Sequence, residues 1–144
     1  MKLEEIHELW DKDCKIDKTN LSIEAIRIGE LHSKYWKLFS HERMTYLKQD
    51  IELKTLKHEK MEFYTQGPSK ETLAKGWTAA PIGRVLRSDV QSYLDADKEM
   101  IDSILRVGVQ KEKMALLESI INNINWRKND IKNFIDYERF RAGN

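Results

Sequence analysis

The stretch from Gly67 to Arg87 reads GPSKETLAKGWTAAPIGRVLR and divides the chain into two long proline-free segments. Both prolines of the 144-residue sequence lie in it, together with three of the six glycines. Proline and glycine interrupt regular structure. The flanking segments, about Leu21 to Gln66 and Ser88 to Ala142, are rich in lysine and glutamate. This arrangement predicts two long helices joined by a loop.

The composition limits what the chain can do. Hydrophobic residues make up 40% of it, charged residues 34%, and the formal net charge is +1. The charged share exceeds the globular average, which favours narrow apolar contacts between helices over a thick core. Because the net charge is close to zero, binding to nucleic acid would have to come from a local patch. No apolar run approaches the ~20 residues of a membrane span, so no membrane partner is expected.

Apolar spacing gives the helix pattern. Leu3, Ile6 and Trp10 predict a short N-terminal helix, after which Asn20 caps the first long helix. We predict an all-α fold with a short N-terminal helix and two long helical segments. They form one domain of residues 1–144, comprising helices in 1–66, a basic loop in 67–87 and a helical region in 88–144. The apolar face of the first long helix is strong at first and then continues more thinly through Met44, Leu47, Ile51 and Met61.

The loop and the second long segment carry further patterns. The loop is net basic and is predicted to be flexible, with Trp77 more readily docked on the helices than stacked on a base. Asp95 or Asp97 can cap a helix start. A seven-residue apolar repeat, typical of helices that pair, then predicts contacts between copies of the chain, with Arg127 at an inner position. Its residues are Leu117, Ile120, Ile124, Ile131 and Phe134.

The motifs of catalysis are missing from this sequence. The glycines lack the spacing of a phosphate-binding loop, and the single cysteine and four histidines do not have zinc-ligand spacing. Most carboxylates alternate with lysines, as on solvated helix faces. We therefore predict no catalytic site, no metal and no cofactor.

One group of residues does indicate binding. Cations within about one helical turn of each other can contact phosphates, and aromatic rings after them can stack on bases. The alternative is a lysine-rich helix end in solvent, with the two aromatic rings closing a core. The residues that share the face are Lys54, Lys57 and His58; Lys60 sits at its edge, and Phe63 and Tyr64 follow.

The sequence resembles the UvsY family, the recombination mediators of T-even-like bacteriophages. The resemblance is clearest over the first 67 residues and returns in two short stretches further on. The matching positions are Met1, Leu3-Glu4, Asp13, Ile16-Asp17, Leu21, Glu24-Ala25, Leu31, Ser33-Lys34, Tyr64, Ala96-Asp97-Lys98, Ile131-Lys132, Phe140 and Ala142-Gly143.

The resemblance implies a helical protein that forms a ring-like or open-barrel homo-oligomer and binds single-stranded DNA in the cytoplasm of an infected cell. It implies two further partners. One is a phage recombinase, and the other is the single-strand-binding protein that covers the DNA onto which the recombinase is loaded. The family's DNA-binding Leu-Lys-Ala-Arg stretch corresponds here to Lys57-His58-Glu59-Lys60. His58 and Lys60 thus take the places of the family's cations, although histidine is mostly neutral at pH 7 and Glu59 adds a repelling charge.

A helical coiled-coil adaptor without nucleic-acid binding is the competing hypothesis. In that case the lysines serve only solubility. The two hypotheses differ in their response to salt, because phosphate contacts weaken as salt rises whereas apolar helix contacts do not.

Overall fold

A computed structural model describes residues 1–143 as a set of five α-helices. No β-strand occurs within that range, and the all-α class predicted from the sequence is confirmed. The predicted short N-terminal helix and first long helix are also present. The helices are α1 (Leu3–Asp13), α2 (Leu21–Gln66), α3 (Lys70–Ala74), α4 (Val90–Ala96) and α5 (Lys98–Arg141).

Local sequence signals explain where the helices end and begin. Gly67 takes a left-handed conformation with φ of 89°, and Pro68 follows it, so α2 stops at Gln66. Ser69 then caps α3, because its Oγ accepts the backbone N–H of Thr72 at 3.3 Å. Asp97 starts α5 in the same way, since its Oδ1 accepts the N–H of Met100 at 3.0 Å. The predicted second long helix is therefore divided into α4 and α5.

The chain forms two compact units whose boundaries lie inside the long helices. The first comprises residues 1–44 and the chain from Gln110 onward, and the second comprises Thr45–Val109. In the first unit the Tyr35 ring packs edge-on against Trp10, with centroids 5.4 Å apart, and its hydroxyl donates to Asp13 at 2.9 Å. The core of this unit joins α1, α2 and α5 through Ile6, Leu31, Tyr35, Leu117, Ile120, Ile121 and Ile124.

The second unit includes the segment predicted to be a flexible loop. Ala80 and Val85 from that segment are buried, and the Val85 N–H donates to the Tyr64 carbonyl at 2.8 Å. The loop packs against α2 because it contributes apolar side chains of its own, Ala80 and Val85, to the core. Its core contains Ala80, Val85, Val90, Leu94 and Met100, with Leu53, Leu56, Tyr64 and Tyr93 against them.

The outer faces of both long helices also carry apolar side chains. The thin seam predicted through Met44, Leu47, Ile51 and Met61 lies on the exposed side of α2, so that prediction was wrong. The buried side of this part of α2 is formed by Leu53 and Leu56 instead. None of the helices within residues 1–143 is both long enough and apolar enough to cross a membrane.

Candidate nucleic-acid interface

Three of the four predicted DNA-binding residues lie together on the surface of α2. Lys54, Lys57 and His58 are three and four positions apart, which places them on one helix face, and all three are exposed. Glu59, which follows His58 in the sequence, lies about 200° around the helix from Lys57, and its carboxylate pairs with Lys75 at 3.2 Å. The repulsion expected from Glu59 is therefore directed away from this face.

Two of these three side chains already have partners. The Lys54 ammonium lies 2.8 Å from Asp50, which raises the pKa of Lys54, and His58 Nε2 lies 3.2 Å from Glu62. Both are contacts one helical turn apart on the helix surface, and solvent screening makes such pairs weak. A phosphate can displace such a partner at little cost. Lys57 forms no ion pair in the part of the chain that the structure describes, so it is the most available cation of the group.

Lys60 does not share this surface, which corrects its predicted position beside the other cations. Only 5% of its side-chain surface is exposed, and its ammonium lies 3.0 Å from Asp97 and 3.9 Å from Glu99. The ammonium also sits 3.9 Å from the centroid of the Trp77 ring. Lys60 points inward because these acidic and aromatic groups satisfy its charge there.

Around Lys60 the structure assembles a polar and aromatic group that we call the Lys60 cluster: Lys60, Tyr64, Trp77, Asp97 and Glu99. The Tyr64 hydroxyl donates to Asp97 at 2.7 Å. The Trp77 indole N–H donates to Glu99 at 3.0 Å. Trp77 is thus docked on the helices, as the sequence favoured. The cluster connects α2, the loop and the start of α5.

The sequence offered Asp95 or Asp97 as a helix cap, but it did not indicate the second role of Asp97. That second role is the pairing of Asp97 with Lys60. Because these two residues are far apart in the chain, the only sequence signal for the pairing is the position of Asp97 at the start of α5. Burial alone would raise the pKa of Asp97, but hydrogen bonds from Tyr64, the Met100 N–H and Lys60 outweigh it and hold that pKa below its ordinary value of 3.8.

The depressed pKa of Asp97 predicts a pH dependence of stability. The folded chain favours the carboxylate, so this contribution is present above the ordinary value and is lost as the pH falls through the folded value. We expect the difference in unfolding free energy between the wild type and Asp97→Asn to shrink as the pH drops below 3.8. Urea titrations at several pH values measure it, with the exposed Asp102→Asn as control. A difference that stays constant down to the lowest pH would contradict the assignment.

The predicted contact residues between copies are placed inside a single chain. Leu117, Ile120, Ile124 and Ile131 are buried, and the first three belong to the first unit's core. Within one chain, α1 and α2 already cover this face of α5, so these residues are not free for the predicted contacts between copies unless the chain rearranges. Phe134 is partly exposed beside a shallow groove, with the Lys18 ammonium 5.7 Å from its ring centroid.

Arg127 interrupts the apolar repeat and is also buried. Its guanidinium donates to the Cys14 carbonyl and lies 3.8 Å from the carboxylate of Glu24. It also lies 5.5 Å from the centroid of the Trp10 ring. Burial lowers the pKa of Arg127, and the nearby Arg27 lowers it further, while Glu24 opposes both effects. The acid beside Arg127 is thus supplied by its own chain.

Within residues 1–143 no cluster of three or more His, Cys, Asp or Glu side chains is arranged to hold a metal ion. The second unit has an open groove of about 490 Å³ between α2 and α5. Its rim is acidic, with Glu52, Glu59, Glu99 and Asp102 against Arg106. The groove is therefore unsuited to phosphate, and the exposed lysine face of α2 is the better candidate for nucleic acid.

A family model matches most of the chain. Residues 9–144 match the model of a family described as "Recombination, repair and ssDNA binding protein UvsY". No curated protein matches the sequence significantly.

Solved structures share the fold over nearly the whole chain. They are crystal forms of the bacteriophage T4 recombination mediator protein UvsY. One gives a TM-score of 0.85 at 22% identity, covering 99% of this chain and 98% of that one. Two others give 0.79 at 22% identity, covering 98% and 99%, and 0.82 at 21% identity, covering 95% and 98%.

Proposed function

The chain belongs to the UvsY family of recombination, repair and single-stranded DNA-binding proteins, and from this premise we propose that it is a non-enzymatic recombination mediator. It binds single-stranded DNA and promotes loading of a phage recombinase onto strands covered by single-strand-binding protein. It acts in the cytoplasm of the infected cell. The observation that carries the proposal is the exposed cationic face of α2, with Lys57 at its centre.

This face has the chemistry that a strand of DNA requires, although each copy offers little of it. Among residues 1–143 the Lys57 ammonium has no ion-pair partner, whereas Lys54 and His58 hold weak partners that phosphate can replace. One or two phosphate contacts give weak, salt-sensitive binding. A strand that crosses several copies gains far more, because each further contact becomes intramolecular.

Self-association is therefore part of the proposal, in a ring-like or open-barrel homo-oligomer. Both long helices expose apolar side chains in addition to the faces they bury, and such surface supports contacts with other copies. Since Leu117, Ile120, Ile124 and Ile131 are covered within one chain, the exposed residues are better placed for these contacts. On α2 and α5 of the second unit they are Leu47, Ile51, Ile101, Ile104, Leu105 and Val109.

A salt series tests the function directly. We expect the logarithm of the affinity for a labelled oligonucleotide to fall linearly with the logarithm of the salt concentration. Particle mass is measured in the same buffers. The slope counts phosphate contacts at about 0.7 for each contact to a single strand. Absence of strand binding, or binding that does not respond to salt, would favour a helical adaptor without nucleic-acid contacts.

Substituting Lys57 tests the face. Lys57→Ala should weaken strand binding and reduce the salt slope by about 0.7 for every copy that the strand crosses. Particle mass should not change, because the side chain is exposed. Lys57→Arg retains the charge and serves as the matched control. If Lys57→Ala and the wild type have equal affinity and salt slope, Lys57 does not contact the strand.

A further inference from the structure

The segment Ala80–Arg87, which we call the arginine loop, is held firmly against α2. The Gly83 N–H donates to the Ala80 carbonyl at 2.9 Å, and Gly83 takes a positive φ of 83° that closes a tight turn. Val85 is buried, and its N–H donates to the Tyr64 carbonyl at 2.8 Å. The side chains on either side of Val85 are therefore presented from a fixed backbone.

Two arginines flank this anchor and face solvent. Val85 is 3% exposed, whereas Leu86 is 70% exposed, and both Arg84 and Arg87 are exposed as well. Arginine suits phosphate particularly well, because its planar guanidinium can donate two parallel hydrogen bonds. Neither arginine makes an ion pair with another residue among those the structure describes. Their charges remain available to a ligand.

The arginine loop lies on the same side of α2 as Lys57. Leu53 and Tyr64 pack against the core that contains Val85. Lys57 is four positions after Leu53 and seven before Tyr64, spacings that return to the same helix face. Lys57 therefore lies about 10 Å before Tyr64 along α2, on the same side of the helix as the carbonyl-bearing residue that anchors the loop.

The distance from Lys57 to the region of Arg84 is one that a single DNA strand can span. The Arg84 side chain passes Gly67, since its Cγ and Nε would lie 3.9 Å from a Cβ at that position. Gly67 is ten residues beyond Lys57, or about 15 Å along the helix direction. Phosphates of one strand are about 3.4 Å apart along the axis of B-form DNA and farther apart in an extended single strand, so a short run of nucleotides can span this length.

We propose that Arg84 and Arg87 bind phosphates of the same single strand that contacts Lys57, so that the strand runs from the middle of α2 across the arginine loop. Ile82 and Leu86, both exposed, then offer apolar contacts to the bases. This inference rests on the proposed function and adds a second contact region to it. It also supplies exposed cations near the end of α2, where the buried Lys60 cannot offer its own charge to a ligand.

The double variant Arg84→Ala with Arg87→Ala tests the proposal. We expect at least a tenfold loss of oligonucleotide affinity near physiological salt and a salt slope lower by about 1.4 for each copy engaged, two contacts at about 0.7 each. Circular dichroism should be unchanged, because both side chains are exposed. Arg84→Lys with Arg87→Lys should recover most of the slope, since the charges are kept.

A matched control removes two exposed lysines from the first unit, as Lys12→Ala with Lys15→Ala, and should bind as the wild type does. If the arginine double variant keeps wild-type affinity and slope while Lys57→Ala does not, the arginine loop is not part of the interface and the proposed function stands. If the wild type itself fails to bind the oligonucleotide, both proposals are wrong.

Discussion

Ile124→Asp is expected to unfold the first unit of the chain. Ile124 is 0% exposed and packs in the core formed by α1, α2 and α5. An aspartate there would lose the apolar contacts and place an unpaired charge among aliphatic side chains. Such substitutions belong to the rare class that costs more than about 4 kcal/mol, which is a large part of a domain's stability. Urea or thermal unfolding followed by circular dichroism measures the loss.

The same substitution distinguishes two roles for the apolar repeat. A residue at a seam between copies would lose only assembly, leaving folded chains of lower mass. Ile124→Val should cost only about 0.5–1.5 kcal/mol. Ile104→Asp makes the same chemical change at a 48% exposed position of α5, and the folded helix content should be retained. Folded but dissociated chains of Ile124→Asp would contradict the intrachain role.

Lys60→Ala is expected to destabilise the second unit by about 2–4 kcal/mol. Removing one partner of a buried ion pair typically costs about 3–5 kcal/mol, because the other charge is left uncompensated. Asp97 keeps its hydrogen bonds from Tyr64 and the Met100 N–H, which reduces the loss. The Trp77 ring also loses the ammonium packed against it. Chemical denaturation gives the size of the effect.

A double-mutant cycle separates the charge from the packing. Lys60→Met keeps the aliphatic stem, and combining it with Asp97→Asn removes both charges. The double variant should be more stable than the sum of the two single losses predicts, because neither charge is then left alone. Strand affinity of Lys60→Met at a temperature where it is folded should equal that of the wild type. If Lys60→Met loses DNA binding without losing stability, Lys60 contacts the strand directly.

The sequence predicted those parts of the fold that depend on neighbouring residues. Asn20 at the start of α2, with Gly67 and Pro68 at its end, correctly bounded a very long helix. Asp97 was correctly suggested as a cap. The buried face of the second half of α2 was not predicted, because this half carries apolar residues on opposite sides. Spacing alone could not tell Leu53 and Leu56, which are partly buried, from Ile51, which is exposed.

The candidate site was partly predictable for the same reason. Lys54, Lys57 and His58 are close in sequence on one helix, so their shared face follows from helix geometry. The burial of Lys60 does not, because its partners Trp77 and Asp97 are distant in the chain. Likewise the repeat at Leu117 and Ile124 indicates a covered helix face without saying whether the cover is another copy or the same chain.

The Lys60 cluster implies a constraint on sequence change among relatives. Because the ammonium of Lys60 is held by Asp97 and covered by Trp77, positions 60 and 97 should be replaced in a correlated manner. A homologue with an uncharged residue at 97 should have lost the cation at 60, and its indole at 77 should be free to diverge. An aligned set of relatives in which these positions vary independently would indicate that the cluster is particular to this one protein.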